Sequence, residues 1–234
     1  MNILKTVTLT MTLMASLMMS ATSLFAAPAT TMESEAKSPR IAILLYEEAD
    51  ELDIFGPREV LNAAAMFGKR GEIYTVSATG EAVRLLGGTR VIPDFSFATA
   101  PKPDVIIVPG ALNTSKATGD KKILAYIAET AKQVQWVVGV CSGSEVLVAA
   151  GPALGKKITS HHLWIDGLRK ANGEKNVLSG VRYVRDGNLL TSAGVSAGID
   201  MSLWLVGQLY SVELARKVQE VLEYYPAPPY AGEV

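Results

Sequence analysis

Short runs of branched apolar residues alternate along the chain with segments whose apolar positions recur every three or four residues. That is the pattern of a parallel sheet covered on both faces by helices. The run at 41–46 predicts a buried first strand, and Gly56-Pro57 predicts the opening of a helix that carries Val60, Leu61, Ala64 and Phe67 at helical spacing. A second strand is predicted over 72–77, and residues 83–86 and 89–93, separated by Gly87-Gly88, read as a hairpin. Pro103 precedes the run 104–108, apolar enough for a central strand, which ends in a sharp turn at Pro109-Gly110. A helix over 121–133, a buried strand over 136–140 and a helix over 144–150 that stops at Gly151-Pro152 follow. The remainder predicts a strand over 156–160 leading into His161, a hairpin of 181–185 and 188–192 about Asp186-Gly187, and helices over 197–210 and 212–224. Nothing after Arg40 reads as a repeat, a low-complexity tract or a linker, so one domain over 41–230 is expected.

The first residues do not fit that pattern. Lys5 precedes an apolar stretch from Val7 to about Ser20, and small residues follow at Ala26, Ala27 and Ala29. The order basic, apolar, small predicts a secretory signal peptide over 1–29, cut at Ala27-Pro28-Ala29. Cleavage after Ala26 and a membrane anchor are the alternatives. Residues 30–40 then form a polar leader, and export to the periplasm or the medium is expected. The 234 residues carry 22 Lys and Arg against 23 Asp and Glu, a net charge of −1; removing Lys5 and no acid leaves 21 basic and 23 acidic side chains, a net charge of −2. Neither value suits a charge-driven partner, so no nucleic acid and, after cleavage, no membrane is expected to bind. With 49% apolar and 19% charged residues the chain has the composition of a packed globular domain.

Cys141 is the only cysteine, so an internal disulfide is ruled out even in an oxidising compartment. It lies in Gly139-Val140-Cys141-Ser142-Gly143, where a buried strand turns directly into a helix, the cysteine counterpart of the G-x-S-x-G nucleophile elbow. At a helix N-terminus unpaired N–H groups and the helix dipole favour a thiolate and offer donors to an oxyanion, the Ser142 N–H among them. A small buried hydrophobe is the plainer alternative. Asp53 falls just after the first strand, in apolar surroundings, and in a parallel sheet its loop would emerge at the same carboxyl edge. Burial beside a thiolate would hold it protonated, ready to donate; a helix cap is the alternative. His161 follows the strand predicted at 156–160 and is expected to reach the thiol or a substrate, whereas His162 is expected as a loop residue. Adjacent imidazoles diverge, so a metal site shared with Cys141 and Asp166 is not expected. The N–H groups of Gly110 and Ala111 are candidates for the second half of an oxyanion hole. Residues 223–230 end in an aromatic, proline-fixed tail, expected to pack on its own domain or on a twin subunit.

Taken together, L-D-x-x-G-P-x-E-V from Leu52 to Val60, V-P-G at Val108 to Gly110, V-C-S-G-S at Val140 to Ser144, T-S-H at Thr159 to His161, R-D-G-N-L-x-T from Arg185 to Thr191, A-G-I-D at Ala197 to Asp200 and the closing E-Y-x-P-x-P-P resemble the ThiJ/PfpI superfamily. Within it they are most similar to the isonitrile hydratase group. The resemblance covers about residues 40–230. It implies a flavodoxin-like α/β fold with helices on both faces of a parallel sheet, a homodimer, and no metal or organic cofactor. The superfamily's cysteine falls on Cys141, its acidic partner on Asp53, its hydroxyl neighbour, commonly Thr, on Ser142, and its histidine on His161. Ser142 for Thr and P-G-A for the commoner P-G-G at Pro109 to Ala111 are departures from the pattern, and so is the export signal.

The expected function is a cofactor-free lyase or hydratase acting on a small electrophilic substrate. Cys141 attacks, N–H groups steady developing charge and Asp53 shuttles a proton; with an isonitrile the product is an N-substituted formamide. A thiol sensor oxidised at Cys141 without turnover and a small-ligand-binding module are the competing readings. No helix-turn-helix follows Tyr230, which disfavours a regulator; no H-x-E follows the cysteine, which disfavours a glutaminase; and the acid precedes the nucleophile, unlike an α/β-hydrolase triad. Nothing specifies a protease's peptide groove. Ile54, Phe55, Trp164 and Tyr225 are the side chains expected to shape the pocket.

Overall fold

The computed structural model describes residues 38–68 and 71–226. The signal peptide, most of the polar leader and the end of the aromatic tail therefore lie outside the described residues.

Strands β1 (Arg40–Leu44), β2 (Glu72–Ser77), β5 (Phe95–Ser96), β6 (Val105–Val108), β7 (Trp136–Gly139), β8 (Tyr183–Asp186) and β9 (Leu189–Ser192) form one sheet in the order β5-β2-β1-β6-β7-β9-β8. All neighbours run parallel except β8 and β9. Strands β3 (Val83–Arg84) and β4 (Arg90–Val91) make the first hairpin as a separate antiparallel pair. Every residue of β6 and β7 is buried, which a strand shows only when both faces of its sheet are covered. One covering layer is formed by α1 (Glu51–Ala65), α6 (Ala197–Leu209) and α7 (Val212–Val221), which pack on one another. The other helices, α2 (Ser115–Thr118), α3 (Lys121–Ala131), α4 (Gly143–Ala150) and α5 (Ile165–Asn172), form a second group, α3 against α4 and α4 against α5. The fold is the expected α/β sandwich.

The chain leaves β1 toward β2 and later returns to the other side of β1 with β6, so the connections diverge between those two strands. In open α/β sheets ligands bind outside the carboxyl ends of the strands at such a point.

Three local readings are corrected. Helix α1 starts at Glu51, not at Pro57, because the Asp50 side chain accepts hydrogen bonds from Leu52 N–H (2.9 Å) and Asp53 N–H (3.3 Å) and caps it there. Pro57 sits inside the helix, where it costs one intrahelical hydrogen bond. Residues 156–160 form no sheet strand: Ile158 makes a single bridge to Val177, and β9 occupies the place beside β7. Thr159 N–H donates instead to the Thr191 hydroxyl at 2.9 Å. The helix α5 occupies a stretch that carried no helical expectation.

Candidate active site

Asp53 now lies in the first turn of α1, on its inner face and fully buried. Capped at Asp50, this turn brings the carboxyl across to the turn after β6, where Gly110 N–H donates to Asp53 Oδ2 at 2.9 Å. Ser142 Oγ, Ser142 N and Asp53 Oδ2 all crowd the place where a Cβ on Gly110 would sit, so only glycine permits the approach. Asp53 Oδ1 has no hydrogen-bond partner of good geometry, and the Cys141 thiol is the other donor acting on this carboxyl. Burial first, then the charge of Asp50, push the Asp53 carboxyl up to about 7, against the lowering effect of Gly110 N–H and the thiol.

Cys141 joins β7 to α4 with φ of 58°, the left-handed region that costs a residue with a Cβ about 1 kcal/mol. Its carbonyl is held by the hydroxyls of Ser160 (2.9 Å) and Ser144 (3.1 Å), and Gly143 N–H bonds back to Val140 O at 2.8 Å. A Cβ on Gly143 would collide with Val108 O and the Pro109 carbonyl, so the turn after β6 and the turn after β7 interlock. Cys141 is 6% exposed. Burial and the Asp53 charge push it up to about 12, although the N–H groups of Val195 and Ser142 favour the charged form. The helix N-terminus is therefore outweighed: in place of the expected thiolate beside a protonated acid, the resting sulfur is a thiol, and the Asp53 carboxyl beside it becomes a carboxylate only above about 7.

Ser142 Oγ donates to Ala111 O at 2.7 Å and accepts from Ala111 N–H at 2.9 Å. Its hydroxyl is thus a clamp between the two turns. The two amides singled out as oxyanion donors are both engaged, Gly110 with Asp53 and Ala111 with Ser142. The donors facing the sulfur are Ser142 N–H and Val195 N–H. Tyr46, buried two residues past the end of β1, donates to Pro109 O at 2.9 Å; burial, Asp53 and Cys141 raise its phenol well above the ordinary value, so it stays neutral.

His161 caps a short 3-10 turn, its Nδ1 accepting from Leu163 N–H at 3.3 Å, and stacks edge-on with Trp164 at 5.5 Å. No hydrogen bond joins it to Cys141 among the described residues. Burial and then His162 lower its basicity, with Asp50 opposing, which leaves a neutral imidazole. It lines a cleft of about 320 Å³ with Ser160, Ile165, Gly194 and Val195, the last of which touches the thiol. A cavity of about 340 Å³ lined by Trp204 and Tyr224 between α6 and α7 contains neither Cys141 nor Asp53. Of the expected pocket residues, Ile54 is buried, Phe55 and Tyr225 are exposed, and Trp164 Nε1 donates to Glu145 at 3.1 Å.

Asp50, Tyr46, Glu145, Ser160 and Val195 also stand at the site, and none of them was expected from sequence. Asp50 carried a signal, a capping residue ahead of an acidic first turn, that Pro57 obscured. Val195 contributes only a backbone N–H, which no side-chain pattern announces. Among the described residues no cluster of three or more His, Cys, Asp or Glu could hold a metal, and none of the ion pairs involves Cys141 or Asp53.

A parallel α/β sandwich that joins a strained, buried cysteine to a buried carboxyl where the strands diverge defines a class of cysteine-bearing domains. The chain belongs to the DJ-1/PfpI family, which it matches over residues 39–208. It is 37% identical over 191 residues to an isonitrile hydratase of Pseudomonas putida, covering 82% of this chain and 81% of that one. Protein dj-1beta of Drosophila melanogaster is 28% identical over 184 residues, 76% of this chain and 92% of the relative. The crystal structure of a ThiJ/PfpI family protein from Pseudomonas syringae superposes with a TM-score of 0.75 at 32% identity, covering 84% of this chain and 79% of that one.

Proposed function

We propose that the protein is a cofactor-free, cysteine-dependent hydratase that converts isonitriles to N-substituted formamides. The observation that carries this reading is the Cys141 thiol acting on an Asp53 carboxyl that has, among the described residues, an unpartnered oxygen and no paired cation. Such a pair is built to pass one proton between sulfur and a neutral substrate. In the first step the thiol proton goes to the Asp53 carboxylate as Cys141 Sγ bonds to the terminal carbon of R–N≡C. Asp53 then returns the proton to that same carbon, giving the thioimidate R–N=CH–S–Cys141. Water adds to the carbon, the C–S bond breaks, and the thiol regains a proton as R–NH–CHO leaves. Ser142 N–H and Val195 N–H steady the sulfur while it is anionic, Gly110 N–H holds the carboxylate, the Ser142 hydroxyl fixes the turn, and His161 serves as a neutral wall. The likeness to the P. putida isonitrile hydratase supports the choice of substrate.

The pair carrying one proton is the reactive state, so kcat/KM should rise with pH through about 7 as Asp53 ionises. Full-length protein incubated with cyclohexyl isonitrile should form N-cyclohexylformamide. Cys141→Ala should lose the turnover outright, and Asp53→Asn should lose about two to four powers of ten. Absence of formamide with reduced wild-type protein overturns the reading. The thiol-sensor alternative draws little support from a buried sulfur whose thiolate is disfavoured, since oxidation follows thiolate character and exposure. Export and a homodimer remain part of the proposal on sequence alone: intact mass of the protein recovered from the cell envelope should show loss of residues 1–29, and light scattering should give twice that mass.

A further inference from the structure

Three hydrogen bonds close a ring around the Asp53 carboxyl. Asp50 N–H donates to Gly110 O at 2.9 Å, Gly110 N–H donates to Asp53 Oδ2 at 2.9 Å, and Asp53 N–H donates to Asp50 Oδ1 at 3.3 Å. Each member of the ring bonds to the other two. Gly110, whose N–H fixes the acid, is thus itself held through its carbonyl by Asp50, which also holds the Asp53 backbone N–H in the first turn of α1. An ordinary helix cap needs only the side-chain half of this arrangement. The main-chain half, beside the Ala49–Ala111 bridge, ties the cap to a turn 60 residues further along the chain, at the residue that bonds Asp53.

We propose that Asp50 is a positioning residue for Asp53: through the ring it aims the carboxyl at the thiol, and through its charge it opposes a second negative charge there. The inference rests on the proposed role of Asp53 as proton carrier. The groups facing Asp53 leave Asp50 in a special position. From the strand-to-helix turn comes the Cys141 thiol, from just past the end of β1 the neutral phenol of Tyr46, and from the turn after β6 the uncharged Gly110 N–H. Asp50 alone among them carries a second carboxyl group, and its charge is the one that acts most on Asp53. Like charges this close disfavour simultaneous ionisation, so Asp50 delays the loss of the Asp53 proton toward neutral pH, where a carrier exchanges it most readily.

Asp50→Asn and Asp50→Ser each keep a capping oxygen and the backbone N–H but remove the charge. The Asp53 carboxyl can be titrated by infrared difference spectroscopy, its band assigned by its loss in Asp53→Asn, alongside the pH profile of kcat/KM on cyclohexyl isonitrile. In both variants the infrared midpoint should fall by about half a pH unit or more from its wild-type position near 7. The acid limb of the profile should move with it, raising kcat/KM at pH 6 about threefold. Asp50→Ala, which loses the capping bonds as well, should also lower the activity above the midpoint. A wild-type midpoint in either natively folded variant overturns the proposal. If the wild-type protein makes no formamide the hydratase reading fails, and the infrared titration still decides the part played by Asp50.

Discussion

Asp53 is a residue whose placement costs the fold free energy. In the unfolded chain its carboxyl ionises near 3.8, while in the folded protein it does so at about 7. The folded state therefore holds a proton that the unfolded state has released over the interval between those values. Its contribution to stability is fully present below about pH 4, is lost progressively as pH rises toward 7, and is constant above that. The loss amounts to about 4 kcal/mol for a fully buried group. Asp53→Asn preserves shape and can keep the bond from Gly110 N–H but has no proton to lose. Urea unfolding at pH 8 should find this variant more stable than wild type by a few kcal/mol, and the difference should vanish near pH 4. An unchanged or lower stability at pH 8 contradicts the burial of an unpaired carboxyl. The same substitution is expected to abolish most turnover, so stability and activity are set against each other at one atom pair.

At the scale of elements, the turns after β6 and β7 behave as one unit, because Gly143 passes under Val108 and Pro109 while Ser142 grips Ala111. Gly143→Ala should push these turns apart, lowering stability by about 2 kcal/mol and activity at least a hundredfold. Gly167 in α5 provides the contrast: nothing lies within 4 Å of a Cβ placed there, so Gly167→Ala should leave turnover intact and stabilise by about 0.5 kcal/mol. Chemical denaturation of both proteins checks the pair. The central strands were legible in the sequence because β6, β7 and, after Arg40, β1 are unbroken apolar runs buried on both faces, and the 141 turn was legible because glycines flank a strand-to-helix junction. The start of α1 was not, since Pro57 imitates a first-turn proline while the capping is done seven residues earlier. The stretch 156–160 misled for another reason. Ile158 has a strand-like neighbourhood, but lysines precede it and its backbone bonds go to Asn176 and Leu178, outside the sheet. At the site, Cys141 and Asp53 could be chosen from their neighbours, whereas the engagement of Gly110 and Ala111 depends on side chains arriving from other elements.

Across the whole molecule, the DJ-1/PfpI fold brings to one sulfur a carboxyl from residue 53, amides from residues 142 and 195, and, through its carbonyl, a hydroxyl from residue 160. No stretch of chain contains more than a fraction of that environment. An unfolded or half-folded chain therefore carries an ordinary thiol, about a tenth ionised at pH 8, while the finished fold suppresses the thiolate by orders of magnitude. Iodoacetamide should accordingly label the native protein at pH 8 at least a hundred times more slowly than the urea-unfolded protein, with the rate across a denaturation curve following the unfolded fraction. Comparable rates in both states would contradict the buried, carboxyl-flanked sulfur. A chain with one cysteine thus carries its own quality mark: its thiol answers reagents while the chain is unfolded and falls silent once the elements around residue 141 are assembled, so reagent-silent sulfur certifies a finished molecule.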